Sequence, residues 1–224
     1  MTRPLPSHSP SRAIRAALAV AAGVIVLGGC QAAGIVAKAA YEAGSHEVLA
    51  EYTGLRGNDY AVIVNMDQSL RASDPRLASI LTNAITRSLG QPEVGATGAV
   101  PGPKVLEFMY NNPSWPAWSY QRLADEFTVS RLVIVDVYEY RLYEPGNRYL
   151  WDGRAAARIG VFEAGLGTEE FAFTTDVNVP YPDETGVTTR ERSKGNVESN
   201  LQARLVSRIA WLMFDHEEPN VITY

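Results

Sequence analysis

Apolar positions recur along this chain in three patterns, and each predicts a different kind of element. The first is the near-continuous run. Residues 60–66 (YAVIVNM) are apolar almost throughout and bounded by polar residues, and residues 131–142 (RLVIVDVYEYRL) begin the same way before they alternate. Such runs are strands covered on both faces, the second of them for its first half only. The second pattern is alternation. Residues 148–163 alternate around Leu150, Ala155, Ala157, Ile159 and Val161, and residues 170–179 give a third strand. Glu144-Pro145-Gly146-Asn147 and Gly165-Leu166-Gly167 have turn composition, so the three strands read as an antiparallel meander.

The third pattern is helical. Leu77, Ile80, Leu81, Ala84, Ile85 and Leu89 fall on one face at 3.6-residue spacing. Ser73 or Asp74 is placed to cap this helix, Pro75 suits its first position, and Gly90 supplies a left-handed stop. Leu201, Leu205, Ile209 and Leu212 make the stripe of a last helix over 197–214. Residues 104–110 read as a helix between prolines and Asn111-Asn112-Pro113, and 115–127 hold a second short one with Leu123 and Phe127 on one side. The rest is weaker: mixed strand character at 46–52, a turn at 55–59, a short strand around Ala99 and Val100, a mobile polar loop over 181–195 and an irregular tail, 215–224. Strands and helices in this order predict an α/β (α+β) fold, a single mixed sheet with a C-terminal antiparallel meander and helices packed on it.

The beginning of the chain follows none of these patterns. Arg3, Arg12 and Arg15 precede an uncharged stretch, 16–27, and Gly28, Gly29 and Cys30 come next. A basic leader, a short apolar run and small residues before a cleavage point make a secretory segment. The run is shorter than the ~20 residues a membrane-spanning helix takes. An uncleaved signal anchor is the alternative. Four parts are therefore expected: a signal peptide over 1–29, a tether over 30–45, an α/β domain over 46–214 and the tail over 215–224.

Composition narrows the partners. The 224 residues are 46% hydrophobic and 20% charged, as expected of a globular domain with a core of its own. Without the three leader arginines, 17 basic residues face 25 acidic ones, a formal charge of −8. That excludes a phosphate-tracking nucleic-acid binder and a polybasic grip on anionic lipid. Cys30 is the sole cysteine, so no internal disulfide forms.

Catalytic chemistry finds little foothold. His46 and His216 are the histidines beyond the leader, and His46-Glu47 lacks the second histidine of a zincin helix. Asp215-His216-Glu217-Glu218 is the densest set of ligand-type side chains, and it reads as a solvated terminus. There is no G-x-S-x-G elbow. Gly165-Leu166-Gly167-Thr168 lacks the later residues of a phosphate loop and reads as a hairpin turn. Asp125, Glu126, Asp136, Glu139 and Asp152 qualify as paired acids by type alone, and regular strand geometry puts Asp136 and Glu139 on opposite faces. No catalytic residue, metal site or cofactor is expected.

Two aromatic groups remain. Trp115, Trp118 and Tyr120 cluster beside a turn, and Tyr138, Tyr140, Tyr143, Tyr149 and Trp151 gather around the first meander turn. Such groups serve partner surfaces, but they also serve cross-strand and helix–sheet packing. The second use is favoured for the tyrosines, while the tryptophan group stays open, with Trp115, Trp118 and Tyr120 as the partner-binding candidates.

Leu27-Gly28-Gly29-Cys30 resembles the bacterial lipobox. The resemblance implies a diacylglyceryl group on the Cys30 sulfur, acylation of the new N-terminus (palmitate-type chains) and a stable hold on a membrane. Gln31, where an Asp would favour inner-membrane retention in enterobacteria, leans the location towards the outer membrane, with the domain facing the periplasm. From the lipobox through YAVIVNM, PRLASILTNAITRSLG and LADEFTVSRLVIVDVYEYRL to the meander, the chain resembles uncharacterised bacterial lipoproteins of the planctomycete type. More distantly, over roughly 47–214, its order of elements is similar to the periplasmic domain of the curli-secretion lipoprotein CsgG and the amino-terminal domain of TolB. The preferred expectation is a non-enzymatic envelope lipoprotein that docks on a protein partner or assembles with itself, as an assembly or transport accessory. The alternative is a small-ligand binder or enzyme with a pocket between helices and sheet.

Overall fold

A computed structural model describes residues 44–219. The signal peptide, Cys30 and the tether up to 43, with 220–224 of the tail, lie outside the described residues. The described chain divides into a main body over 47–216 and a small terminal unit in which 44–46 meet 217–219. In the terminal unit Ser45 Oγ donates to Glu217 Oε2 at 3.0 Å. Strands β1 (Ser45–Val48) and β7 (His216–Pro219) pair as a sheet of their own. The tail is therefore a strand over that stretch, where irregular chain was expected.

The main body is built on five strands in the order β3-β2-β4-β5-β6: β2 (Asp59–Met66), β3 (Gly98–Ala99), β4 (Arg131–Glu144), β5 (Asn147–Glu163) and β6 (Phe173–Tyr181). β2 pairs in parallel with both β3 and β4, and β4, β5 and β6 form the antiparallel meander. The mixed sheet predicted from the patterns is thus observed. β2 is apolar from Tyr60 to Val64 because both its faces are covered there: Tyr60, Val62, Val64 and Met66 enter one core layer, Ala61 and Ile63 the other. The same holds for the start of β4, with Val133, Val135 and Val137 in the first layer and Leu132 and Ile134 in the second.

Helices α1 (Gln68–Ser73), α2 (Leu77–Leu89) and α5 (Lys194–Trp211) accompany the first layer, and α3 (Gly102–Asn111) and α4 (Tyr120–Phe127) the second. α1 was not foreseen. Its six residues bury no side chain, so no apolar stripe marks it, and Asp67 caps it by accepting from Leu70 N at 2.7 Å. Because α1 ends at Ser73, α2 starts at Leu77, and Pro75 lies in the link rather than at the first helical position. The buried face of α2 is also rotated: Thr82 and Thr86 point inwards with Leu77, Leu81, Ile85 and Leu89, while Ile80 is exposed. Gly90 ends the helix at a φ of −83°, with its N–H on the carbonyls of Thr86 and Arg87, so the left-handed stop is not used.

Residues 181–195 were expected to be a mobile loop, but Tyr181 ends β6 and Lys194 opens α5, which leaves residues 182–193 between them. They run back along the outer end of β5: Leu150 bridges Thr188, Trp151 N donates to Val187 O at 2.9 Å, and the Trp151 indole donates to Arg192 O at 3.0 Å. Two ordinary backbone bonds and one indole bond make this segment a strap.

Candidate functional site

The order of connections sets where a site forms. β2 leads through α1 and α2, on one face, to β3; β3 leads through α3 and α4, on the opposite face, to β4 on the other side of β2. The winding direction therefore reverses between β2 and β4. The two connections part there, and where the parallel β2–β4 pairing ends, at Met66 and Val137, they leave room for a crevice, as open α/β sheets do at such a reversal. A crevice of about 650 Å³ occupies that position.

It is lined by Asn65, Asp67, Gln68, Arg71, Asp136 and Tyr138, by Pro116, and by Met66 and Val137, whose side chains turn into the first core layer. Asn65 and Asp136 are register partners on β2 and β4, and Asn65 Nδ2 donates to Asp136 Oδ1 at 2.8 Å. Arg71 reaches back from α1, with Nη2 on Asn65 Oδ1 at 2.9 Å and Nε on Met66 O at 2.9 Å. These bonds fix the amide of Asn65 and hold three polar groups in one array, with capacity for further bonds on each.

The array continues across the sheet. Asp136 faces Arg158 on β5, and Arg158 faces Asp176 on β6, bonding it at 3.1 and 3.3 Å. One register step towards the strand starts, the row is apolar: Ile63 and Ile134 are buried, and Gly160 lies under the Phe171 ring, 2.9 Å from where a Cβ would stand. The sheet face thus changes from covered to polar between these two rows.

A register shift between Val137 and Glu139 sharpens this edge. The extra residue, Tyr138, is 54% exposed, and its ring is presented at the crevice. Bulges commonly re-aim a side chain in this way. The shift also corrects the expectation for the two acids: Glu139 pairs with Ala156 and Asp136 with Arg158, two residues apart on β5, so both carboxylates are on one face. Glu139 is engaged by Arg141 at 2.9 Å, and Arg141 also bridges Asp152 at 2.8 Å. Asp125 is taken by Gln121 at 2.8 Å on α4.

The aromatic candidates are divided. Trp115 is 7% exposed and lies in the second core layer with Phe162, Leu132 and Leu123. Trp118 is half-buried, edge-on to Phe108 at 5.4 Å, with the Arg122 guanidinium 3.5 Å above its ring. Tyr120 packs on Phe171 and Phe162. Among the tyrosines, Tyr143 stacks on Trp151 at 4.7 Å, and Tyr140, its hydroxyl near Gln202, is pushed up to about 12 by burial. Tyr149 is 79% exposed.

Further cavities belong to the main body, among them a groove of about 640 Å³ around Tyr181, Arg192 and Arg204. One of about 730 Å³ lies between α3 and α4 beside β3, with Phe108, Phe127 and Val100 inside and Lys104 and Glu126 on its wall. Another, of about 820 Å³, lies between the α1–α2 link, the β4–β5 turn and the start of α5. Over β2 and the start of β4 the two faces of the sheet are filled by the core layers, and the space between helices and sheet lies beside β3. Among the described residues no group of three or more His, Cys, Asp or Glu side chains is placed to hold a metal ion. No helix among them is long and apolar enough to cross a membrane.

No family model and no curated protein matches the chain. Among solved structures it is similar to the lipoprotein GNA1162 of Neisseria meningitidis, at 13% identity over 68% of this chain and 97% of that one, with a TM-score of 0.44. It is similar also to PelC of Paraburkholderia phytofirmans, solved as a dodecamer, at 12% identity over 76% and 98% with a TM-score of 0.43. A hypothetical protein of Chlamydia trachomatis matches at 13% identity over 70% and 98%, with a TM-score of 0.42. Identities and scores this low carry no functional inference.

Proposed function

We propose that this chain is a lipid-anchored lipoprotein of the bacterial cell envelope, and that its folded body is a non-enzymatic interaction module working close to the membrane. The observation that carries this reading is Leu27-Gly28-Gly29-Cys30 behind an uncharged run and a basic leader. A thiol followed by a short alanine-rich stretch before the folded body suits acylation close to the membrane. Several acyl chains, each buried CH₂ contributing about 0.8 kcal/mol, make such an anchor stable. Gln31 favours the outer membrane. The likeness of element order to the CsgG and TolB domains bears on the fold alone.

The test is processing in a bacterial host fed labelled palmitate. The expected result is label on the wild-type chain, none on Cys30→Ser, and accumulation of the precursor when the lipoprotein signal peptidase is inhibited. An unlabelled wild-type chain of mature size overturns the reading. For the partner surface, the edges of Trp118 and Tyr120, backed by Trp115, remain the proposed contact. Crosslinking in intact cells followed by mass spectrometry should then give a different partner set for Trp118→Ala; an identical set removes this patch from the proposal.

A second reading, a small-ligand binder, is favoured by one observation: a crevice with converging polar groups lies where the sheet's winding reverses.

A further inference from the structure

We infer that the crevice where the parallel pairing of β2 and β4 ends binds a neutral saccharide unit, held by Asn65, Asp136 and Arg71 and stacked on Tyr138. The inference takes up the ligand-binding reading and is independent of the lipid anchor.

Four observations support it. The crevice has the position that the winding of an open α/β sheet reserves for ligands. Its polar groups are planar and mutually fixed: Arg71 donates to Asn65, and Asn65 donates to Asp136. A sugar hydroxyl both donates and accepts, and neighbouring hydroxyls on a ring are spaced to meet two atoms of one carboxylate, amide or guanidinium. The same groups, already bonded to one another, meet those hydroxyls without rearranging. Third, the bulge presents the half-exposed ring of Tyr138 beside Asp136. An aromatic face and the apolar side of a sugar ring suit each other, with the exposed Pro116 beside it in the lining.

The fourth observation is charge. Asp67 and Asp136 stand with Arg71 in the lining, and Arg158 pairs across from Asp136. An anion such as phosphate meets two carboxylates. A simple cation meets the guanidinium, and Asp67 is already committed to Leu70 N and Ser69 Oγ. A neutral polyol meets neither obstacle. Elsewhere, the groove around Tyr181 has its arginines engaged by Glu184 and Asp183.

The experiment is calorimetric titration of the full-length mature chain in a detergent without a sugar head group. The probes are tetrasaccharides of N-acetylglucosamine, of α-linked glucose and of β-linked glucose, with inorganic phosphate and choline as charged controls. The expected result is saturable binding of at least one tetrasaccharide and of neither control. The amino-sugar and glucose arms separate an N-acetylated glycan from a plain glucan as the source. Tyr138→Ala and Asp136→Ala should each weaken binding about tenfold, with Tyr138→Phe within about twofold because the ring is kept. Melting temperatures report that each variant is folded. The inference is overturned if no tetrasaccharide binds at about 10 mM, if phosphate or choline binds in their place, or if folded Tyr138→Ala and Asp136→Ala bind as the wild type does. Any of these leaves the palmitate result untouched, so the two readings fail separately.

Discussion

Thr82 and Thr86 point into the core from α2, and among the described residues neither Oγ1 has a hydrogen-bond partner. A buried hydroxyl left unbonded costs about 1–3 kcal/mol, whereas a methyl of the same shape does not. Thr82→Val is therefore expected to raise the stability of the chain, read as a higher midpoint in chemical denaturation. Gly153 shows the opposite constraint. A Cβ there would stand 2.4 Å from the Tyr181 carbonyl oxygen and 3.4 Å from Leu201, so Gly153→Ala is expected to cost about 1–3 kcal/mol in the same measurement. Asp59 gives a pH signature. Its carboxylate accepts from the Ser130 hydroxyl at 2.6 Å and the Ser130 N–H at 2.9 Å, and these bonds hold its pKa below the usual carboxylate value. A lowered folded-state pKa stabilises the fold above the unfolded value of about 3.9 and stops doing so as the pH falls through the folded one. Ser130→Ala should lessen that acid-side loss, seen by comparing unfolding midpoints across the range below about pH 5. None of these three effects is written in residue type alone. Thr on a helix stripe, Gly in a strand and Asp at the start of a strand acquire them from neighbours far along the chain.

The elements with their own periodicity were legible: β2, β4, β5 and α5 follow directly from apolar runs, alternation and a 3.6-residue stripe. Four features were not, each for a physical reason. α1 buries nothing, and β7 forms by pairing with β1, so neither carries a stripe. The bulge at Tyr138 is a matter of register between strands, which fixes where Glu139 points although the local sequence alternates regularly. The strap over 182–193 is polar because it lies at the surface, yet backbone pairing with β5 and the Trp151 indole hold it. Trp151→Phe keeps the ring beside Tyr143 and removes the indole bond. It is expected to speed limited proteolysis within 183–192 while changing global stability by only about 1 kcal/mol.

At the scale of the molecule, the crevice was hidden from the sequence because strand order was. Asn65, Arg71, Asp136 and Tyr138 carry no motif, and only the β3-β2-β4 order brings them together. That order has a consequence in time. β4 and β5 are joined by a two-residue turn, whereas Asn65 and Asp136, their side chains bonded across the parallel pair, are 71 residues apart. Closing a long loop delays contacts of that kind, so the hairpin is expected to gain protection before the parallel pair. Pulsed hydrogen exchange should show amides of 132–162 protected ahead of those of 60–66. The recognition surface would then be among the last parts of the chain to mature, and a half-folded molecule would carry its hairpin but be blind to its ligand.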